Sequence, residues 1–299
     1  MAKLSLWVQA TRAPSLVTSV IPCLAGGLAA VNSGRATWWL LGAALVAMLF
    51  LHAGVNASND VEDAARGVDG PEKERNSRVF NTGQLTAVQG RRLYATLFAV
   101  AIALGVLICI VQGPVLLVIG VLGVLGGLLY TAGPRPYKYD GLGEAFIVVL
   151  MGPLITQGAY TAVTGDAFAA QAFWLGAGPG LLIAGVLAAN NLEDIDTDRA
   201  AGIRTLAGRL GFRGAQRFLA GILLATVPAQ LILWAAGVFN AWVLLPLLVT
   251  PLLALRVREV LAARASDDPG LAGITGRVFG LHFLFSVLLC VAVVLARAA

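Results

Sequence analysis

Two short acidic clusters interrupt an otherwise apolar chain. The first spans Asn56–Gly67 (NASNDVEDAARG) and the second spans Asn191–Gly202 (NLEDIDTDRAAG). At an offset of 135 residues the matched positions are Asn56 with Asn191, Asn59 with Asp194, Asp63 with Asp198 and Gly67 with Gly202. Each cluster follows an apolar run long enough to cross a bilayer, where carboxylates are costly unless a cation meets them. The pair predicts a divalent metal site, and metal together with arginine predicts a phosphorylated substrate.

The spacing within each cluster would place its polar groups on one face of a helix. The positions that recur at intervals of three and four are Asn56, Asn59, Asp60 and Asp63, and then Asn191, Asp194 and Asp198. A four-residue step rises about 6 Å, so neighbouring carboxylates can converge on one cation. Mg²⁺ prefers oxygen ligands and is commonly held by one or two carboxylates plus substrate phosphates. The only two histidines, His52 and His282, form no cluster with cysteine, so the sequence does not favour zinc.

Basic residues near the clusters fit a phosphate-binding interpretation. The candidates for contact with a diphosphate are Arg66, Arg135, Lys138 and Arg204. Arginine suits bidentate contact with phosphate. The alternative is that interfacial arginines and aspartates pair with each other and with lipid headgroups. That alternative is favoured for Arg209, Arg213 and Arg217, which are four residues apart at the start of a predicted helix.

The elements that must position these residues are membrane-spanning helices. Hydrophobic residues make up 58% of the chain and charged residues 12%, whereas a soluble domain carries about 25% charged residues. A spanning helix needs about 20 apolar residues. The charge-free stretches therefore predict about nine helices, at 15–32, 37–59, 93–111, 114–131, 142–164, 171–191, 215–237, 240–256 and 276–297. We predict an all-α, polytopic, single-domain bundle over residues 1–299, with a central cavity, cytoplasmic cap loops and pseudo-repeat halves of about 1–140 and 141–299.

The distribution of charge predicts the orientation of the bundle. With the N-terminus inside, every Lys and Arg except Arg35 and Arg297 falls on the cytoplasmic side, as positive-inside topology requires. We therefore expect a multi-pass protein of the cell (inner) membrane whose active site faces the cytoplasm. The net charge of +5 then reflects topology and not nucleic-acid binding. The cysteines, at positions 23, 109 and 290, lie in apolar spans and predict neither a disulfide nor a metal set.

Two long cytoplasmic loops, 60–92 and 193–214, hold most of the polar sequence. A long ordered loop at the mouth of a helical bundle usually carries function. The segment Pro71–Gly83 (PEKERNSRVFNTG) is predicted to be a mobile cap, with a solvated connector as an equal alternative. The run Asp267–Gly270 (DDPG) is typical of a turn and is not predicted to bind a ligand.

These motifs resemble those of the UbiA superfamily of intramembrane prenyltransferases over most of the chain. The first family motif, N-D-x-x-D-x-x-x-G-x-D, corresponds to Asn59, Asp60, Asp63, Gly67 and Asp69, and the second to Asp194, Asp198, Gly202, Thr205 and Leu206. A closer similarity, to 1,4-dihydroxy-2-naphthoate polyprenyltransferases of menaquinone synthesis, is carried by WVQATRAPSL, YTAGPRPYKYDGLGE and NNLEDIDTDRAAGIRTLAGRLG. The chain departs from the family at Ile203, where lysine is common, and at Arg135, where lysine is more usual.

The resemblance implies a Mg²⁺-dependent transfer of a polyprenyl group from an allylic diphosphate to an aromatic acceptor. It implies that Asp63, Asp194 and Asp198 are the main metal ligands, supported by Asn59, Asp60 and Asn191. The four basic candidates would stabilise the departing diphosphate. Tyr130 and Asn56 are candidates for stabilising the allylic cation, although Tyr130 equally fits an aromatic belt at the membrane interface. The isoprenoid tail would lie among the helices, open to lipid.

Two other functions remain open at this point. The same fold could serve another acceptor, such as 4-hydroxybenzoate, homogentisate or a glyceryl phosphate. A cation-coupled transporter is the alternative from a different class, but transporters place carboxylates near the midplane and need access from both sides. Here the acidic residues lie at one face, and Asp166 is the one acidic residue predicted outside.

Overall fold

The computed structural model describes residues 2–30, 36–67, 79–200 and 202–298, and within these ranges the chain is helical without a strand. The α-helices are α1 (Ala2–Ala10), α2 (Val17–Leu28), α3 (Trp38–Ala65), α4 (Ala87–Gln112), α5 (Val115–Thr131), α6 (Gly143–Leu150), α7 (Pro153–Thr164), α8 (Ala170–Leu175), α9 (Ala177–Glu193), α10 (Ile195–Ala200), α11 (Leu206–Ala235), α12 (Thr250–Ala262) and α13 (Ile274–Ala298). In the described ranges, 3₁₀ segments at Ala13–Leu16, Tyr137–Asp140 and Ala241–Val249 connect some of these helices.

Seven helical segments in the described ranges are long and apolar enough to cross a membrane. They are Trp38–Ala65, Ala87–Gln112, Gly143–Thr164, Ala170–Glu193, Leu206–Ala235, Ala241–Ala262 and Ile274–Ala296. Two shorter apolar helices, Ala13–Leu28 and Val115–Thr131, lie where the sequence predicts the first and fourth spans. The predicted all-α polytopic fold is therefore confirmed. The figure of about nine spans is approximate, because it counts these two short helices.

Two of the predicted spans are broken at glycines, between α6 and α7 and between α8 and α9. At these breaks the backbones come very close. A Cβ atom on Gly152 would lie 2.3 Å from the carbonyl oxygen of Gly176, and one on Gly180 would lie 2.2 Å from that of Val148. Small residues permit such close approach between helices in membranes. This crossing fixes the position of α9, the helix that leads into the second acidic cluster.

We expect Gly180→Ala to lower the thermal stability of the protein in detergent. The added methyl group would press against the backbone carbonyl of Val148, and overpacking of this kind typically costs about 1–3 kcal/mol. The matched control is Gly221→Ala in α11, where a Cβ atom meets nothing within 4 Å. Because alanine is the better helix former, that change should be neutral or stabilising by roughly 0.5–1 kcal/mol. Equal unfolding temperatures for wild type and Gly180→Ala would contradict the close crossing.

The N-terminal segment forms a short helix that the span prediction omits. Arg12 links α1 to the next 3₁₀ turn at φ 49°, ψ 49°, and it is the one non-glycine residue in the described ranges with a positive φ. Ala10 packs with Val79 and Leu85, so α1 covers the segment that leads into α4. The predicted cap is described from Val79 onwards, whereas residues 68–78, including Asp69 of the family motif, lie outside the described residues.

The helices that lead into the two acidic clusters have different packing partners. The helix carrying the first cluster, α3, packs mainly against α4, and the helix leading into the second, α9, packs against α11. Contacts of α2 with α7 and with α13 join the earlier and later helices. The division into pseudo-repeat halves within one domain stays a prediction.

Candidate active site

A cavity of about 1650 Å³ lies between the helices, and residues of both acidic clusters line it. Its polar lining includes Asn56, Asn59, Asp63, Asn190, Asn191, Asp194 and Asp198. Along α3 the lining extends from Ala44 to Asp63, which corresponds to about 28 Å of helix axis. That depth is close to the thickness of the hydrocarbon core of a bilayer. The rest of the wall is mainly apolar. The carboxylates and amides therefore lie at one end of a long apolar cavity.

The first cluster is helical, because α3 continues through it to Ala65. Asn59, Asp60 and Asp63 are buried, with exposed fractions of 8%, 1% and 1%. Asn59 and Asp63 line the cavity, as the spacing of four residues predicts for one helix face. Burial of this kind is costly for a carboxylate unless it is paired. The structure supplies partners for both carboxylates.

Asp63 is held by two neighbouring side chains from the 3₁₀ segment between α5 and α6. Lys138 Nζ donates to Asp63 Oδ2 and, at 3.0 Å, to Asn59 Oδ1, and Tyr139 donates its hydroxyl to Asp63 Oδ1. Burial and the Asp63 carboxylate raise the pKa of Tyr139 to about 12, so its phenol stays protonated at neutral pH and can donate. Thr131 Oγ1 also donates to Asn59 Oδ1 at 2.9 Å.

Asp60 lies outside the described cavity lining and forms an ion pair with Arg12. Two guanidinium nitrogens of Arg12 donate to the two carboxylate oxygens of Asp60, one of them, Nε, at 3.2 Å. Arg12 itself lines the cavity. A positive φ at a non-glycine residue is uncommon and is often associated with functional sites. Asp60 thus fixes a cation beside the acidic clusters.

The second cluster begins at the end of α9 and continues into α10. The helix ends at Glu193, and the Asp198 amide donates to the Asp194 carbonyl at 2.8 Å, so the chain keeps a helical course. Asp194 and Asp198 both line the cavity, and Asp198 is 6% exposed. Asn190 Nδ2 donates to Asp194 Oδ2 at 3.3 Å. Asp194 and Asp198 therefore face the same space as Asp63.

Of the four predicted phosphate-binding cations, the described lining of the cavity includes Lys138 and not the other three. Arg66 donates hydrogen bonds to the carbonyls of Thr131 and Gly133. These bonds tether the start of the loop that carries Lys138. The side chain of Arg135 is 86% exposed and pairs with Asp140 at 3.4 Å. Arg204 is exposed, while its neighbour Ile203 lines the cavity. Their contact with a diphosphate stays a prediction.

Tyr130 lines the cavity near the first cluster. Its ring meets that of Tyr137 edge-on, with centroids 5.5 Å apart, and Tyr137 donates its hydroxyl to the Gly126 carbonyl at 2.6 Å. Lys138 Nζ lies 5.7 Å from the centroid of Tyr130. Aromatic faces attract cations at such distances. The tyrosine is therefore placed where it can face positive charge.

The donors facing the cavity suit a hard divalent cation. They are carboxylate and amide oxygens, which are the ligands that Mg²⁺ prefers. In the described ranges no three His, Cys, Asp or Glu side chains lie close enough to hold a metal by themselves. Mg²⁺ is usually held by one or two carboxylates with substrate phosphates and water, so these donors fit a cation that a diphosphate also binds. His52, which also lines the cavity, is hydrogen-bonded through Nδ1 to Ser19 Oγ at 2.8 Å.

Several residues with close contacts to the site were not predicted as site residues from the sequence. Among them are Arg12, Tyr139 and Glu144. Arg12 and Tyr139 lie in two stretches that carry the subfamily resemblance, and Glu144 closes one of them. That position in the motifs is the signal by which they could have been found.

The sequence matches a known family over most of its length. A profile of the UbiA prenyltransferase family matches residues 19–272, a range that includes both acidic clusters. Two mycobacterial relatives are also similar over most of the chain, and both are named 1,4-dihydroxy-2-naphthoate octaprenyltransferase. The protein from Mycobacterium leprae (strain TN) is 33% identical over 278 residues, covering 90% of this chain and 90% of the relative. The protein from Mycobacterium tuberculosis (strain ATCC 25618 / H37Rv) is 34% identical over 259 residues, covering 84% of this chain and 85% of the relative.

The fold is similar to that of a solved structure described as a UbiA homolog from Archaeoglobus fulgidus bound to GPP and Mg²⁺. The TM-score is 0.64 and the sequence identity 15%, over 97% of this chain and 99% of that one. At this identity the likeness concerns the fold alone.

Proposed function

We propose that this chain, which belongs to the UbiA prenyltransferase family, transfers a polyprenyl group from an allylic diphosphate to 1,4-dihydroxy-2-naphthoate. The chain is a multi-pass membrane prenyltransferase, as its family and its apolar helices show. The observation that carries the proposed chemistry is the meeting of both acidic clusters in one long apolar cavity. The naphthoate acceptor is supported by the names of the two mycobacterial relatives.

The two clusters would bind the diphosphate through Mg²⁺. We assign Asp63, Asp194 and Asp198 as the principal ligands, with Asn59 and Asn191 as supporting oxygens, because all five line the cavity. When bound, Mg²⁺ neutralises charge that builds up on a leaving diphosphate. The part we assign to Asp60 is to hold the Arg12 guanidinium at the cavity wall. The fold of the Archaeoglobus fulgidus homolog, which was solved with GPP and Mg²⁺, is consistent with this assignment.

The first step is ionisation of the allylic diphosphate. The carbon–oxygen bond breaks, and both electrons leave with the diphosphate, which becomes more negative. Lys138 and Arg12 line the cavity and can donate hydrogen bonds to it. The allylic cation that remains would face the Tyr130 ring and the Asn56 carbonyl oxygen, since cations are attracted to aromatic faces and amide dipoles. The apolar wall keeps water from capturing it.

The second step is attack by the acceptor ring. The ring carbon that bears the carboxylate donates an electron pair to the allylic cation, and a carbon–carbon bond forms. Loss of carbon dioxide returns the electron pair of the carbon–carboxylate bond to the ring and restores its aromaticity. The prenyl tail remains in the apolar part of the cavity. A membrane location follows naturally, because both the donor tail and the product are lipophilic.

The orientation of the chain is part of the proposal. The charge distribution supports an N-terminus and an active site on the cytoplasmic side of the cell membrane. Both clusters lie at the ends of helices α3 and α9 that this orientation assigns to that side.

We expect membranes containing this protein to prenylate 1,4-dihydroxy-2-naphthoate with a labelled polyprenyl diphosphate. EDTA should stop the reaction and added Mg²⁺ should restore it, because the carboxylates need a cation to bind the diphosphate. Parallel incubations with 4-hydroxybenzoate, homogentisate and a glyceryl phosphate serve as acceptor controls. If one of these acceptors gave product and the naphthoate did not, prenyl transfer would stand and the proposed naphthoate acceptor would be wrong. Activity that EDTA does not inhibit would contradict the proposed Mg²⁺ dependence.

A further inference from the structure

A buried hydrogen bond links the second acidic cluster to the start of α6. Asn191 Nδ2 donates to Glu144 Oε1 at 2.9 Å, and the two residues are 7% and 3% exposed. Asn191 lines the cavity, whereas Glu144 lies behind it, outside the described lining. The described link between Glu144 and the cavity is therefore its hydrogen bond to Asn191.

The hydrogen bond of this pair shows which way the amide faces. The NH₂ group of Asn191 is turned toward the Glu144 carboxyl oxygen, which accepts from it. The carbonyl oxygen of Asn191 is then the atom left for the cavity. We propose that Glu144 is a positioning residue that holds this oxygen toward the cation and diphosphate, a role that rests on the proposed function.

The matched asparagine of the first cluster is oriented in the same way by unrelated partners. Asn56 Nδ2 donates to the Thr11 carbonyl and to Ser15 Oγ, both at 2.9 Å. Asn56 also lines the cavity. At both matched positions the protein therefore occupies the amide nitrogen and leaves the oxygen for a positively charged ligand. This agreement between two different sets of contacts argues against a chance hydrogen bond.

The test measures ligand binding by thermal unfolding in detergent, so it does not depend on turnover. Mg²⁺ is titrated in the presence of farnesyl thiolodiphosphate, a diphosphate analogue that resists ionisation. Groups that orient metal ligands typically change affinity by about 10–100-fold, so Glu144→Ala should raise the half-saturating Mg²⁺ concentration about 10-fold. Glu144→Gln can still accept from Asn191 and should give a smaller rise. Glu259→Gln is the control, because Glu259 pairs with Arg256 and Arg277 on α12 and α13.

A swapped pair tests orientation against simple structural loss. Asn191→Asp alone sets two carboxylates against each other and should weaken Mg²⁺ binding. Adding Glu144→Gln lets the new amide donate to the new carboxylate, which keeps an oxygen at the cavity. The double variant should therefore bind Mg²⁺ more tightly than Asn191→Asp alone. If the two substitutions acted independently, the double variant would bind Mg²⁺ more weakly than Asn191→Asp alone.

The outcomes separate the two proposals. A wild-type response to Mg²⁺ that Glu144→Ala leaves unchanged overturns the positioning role alone, and so does a swapped pair without recovery. Absence of any Mg²⁺-dependent stabilisation in the wild type overturns the proposed metal site, and the positioning role with it.

Discussion

Asp63→Ala, Asp194→Ala and Asp198→Ala should each lower kcat/KM for prenyl transfer by at least about 100-fold, the loss typical of removing one group that stabilises charge in the transition state. These three carboxylates line one cavity although they come from distant parts of the chain. Each would contribute to holding the cation that the leaving diphosphate needs. The measurement is initial rate with labelled prenyl diphosphate at several Mg²⁺ concentrations. Excess Mg²⁺ should recover only part of the activity, because the ligand itself is gone.

Asp196→Ala is the matched control within the second motif. Asp196 is exposed, bonds to Ser266 and lies outside the described cavity lining. Its loss should change kcat/KM by less than a few-fold, as for most exposed polar contacts. Asp63 needs a second variant, because Asp63→Ala removes the carboxylate that pairs with the Lys138 ammonium. Asp63→Asn preserves volume and should also be inactive. Wild-type rates in any of the three alanine variants would remove the metal-site argument.

The sequence was sufficient to predict the features that depend on local periodicity. Spacings of three and four put Asn59 and Asp63 on one face of α3, and both line the cavity. The span positions followed from the length of apolar runs, which bilayer thickness constrains tightly. The same reasoning placed Asp194 and Asp198 together, even though α9 ends between Asn191 and Asp194.

The features that depend on tertiary contact could not be read in this way. Asp60 shares the face of its cluster by spacing, yet it pairs with Arg12, which is 48 residues earlier. Lys138 and Arg135 are near neighbours in one short loop, but only the former lies in the described lining. Which cation of a loop turns inward depends on the 3₁₀ turn at Tyr137–Asp140 and on how it packs. A sequence reports the charge of such residues and not their direction.

The buried charge of Asp63 is compensated by Lys138. A carboxylate that is 1% exposed needs a compensating positive charge, and Lys138 supplies one at the same place where a metal-bound diphosphate is proposed to sit. The lysine can thus offset the charge of the carboxylate and also donate to the diphosphate. Its contacts with Asp63 and Asn59 keep it near both.

Lys138→Met should therefore lose both activity and stability. We expect kcat/KM to fall about 100-fold, because a cation that would stabilise the leaving diphosphate is removed. Breaking a buried ion pair from one side typically costs about 3–5 kcal/mol, and the side chains of Lys138 and Asp63 are 18% and 2% exposed. Thermal unfolding in detergent and initial rates measure the two losses separately. Arg135→Met, in the same loop, is the control for stability and should change the unfolding temperature little, because its ion pair is exposed.

The double variant Asp63→Asn with Lys138→Met distinguishes the two roles of the lysine. Neutralising Asp63 removes the unpaired charge that Lys138→Met would leave buried, so the double variant should recover much of the lost stability. Activity should not recover, because the double variant lacks both a proposed metal ligand and a proposed diphosphate donor. If stability and activity returned together, Lys138 would act only by holding the fold. If Lys138→Met changed neither stability nor kcat/KM, the contact with Asp63 would not stabilise the fold. The diphosphate would then have to be bound by other cations of the chain.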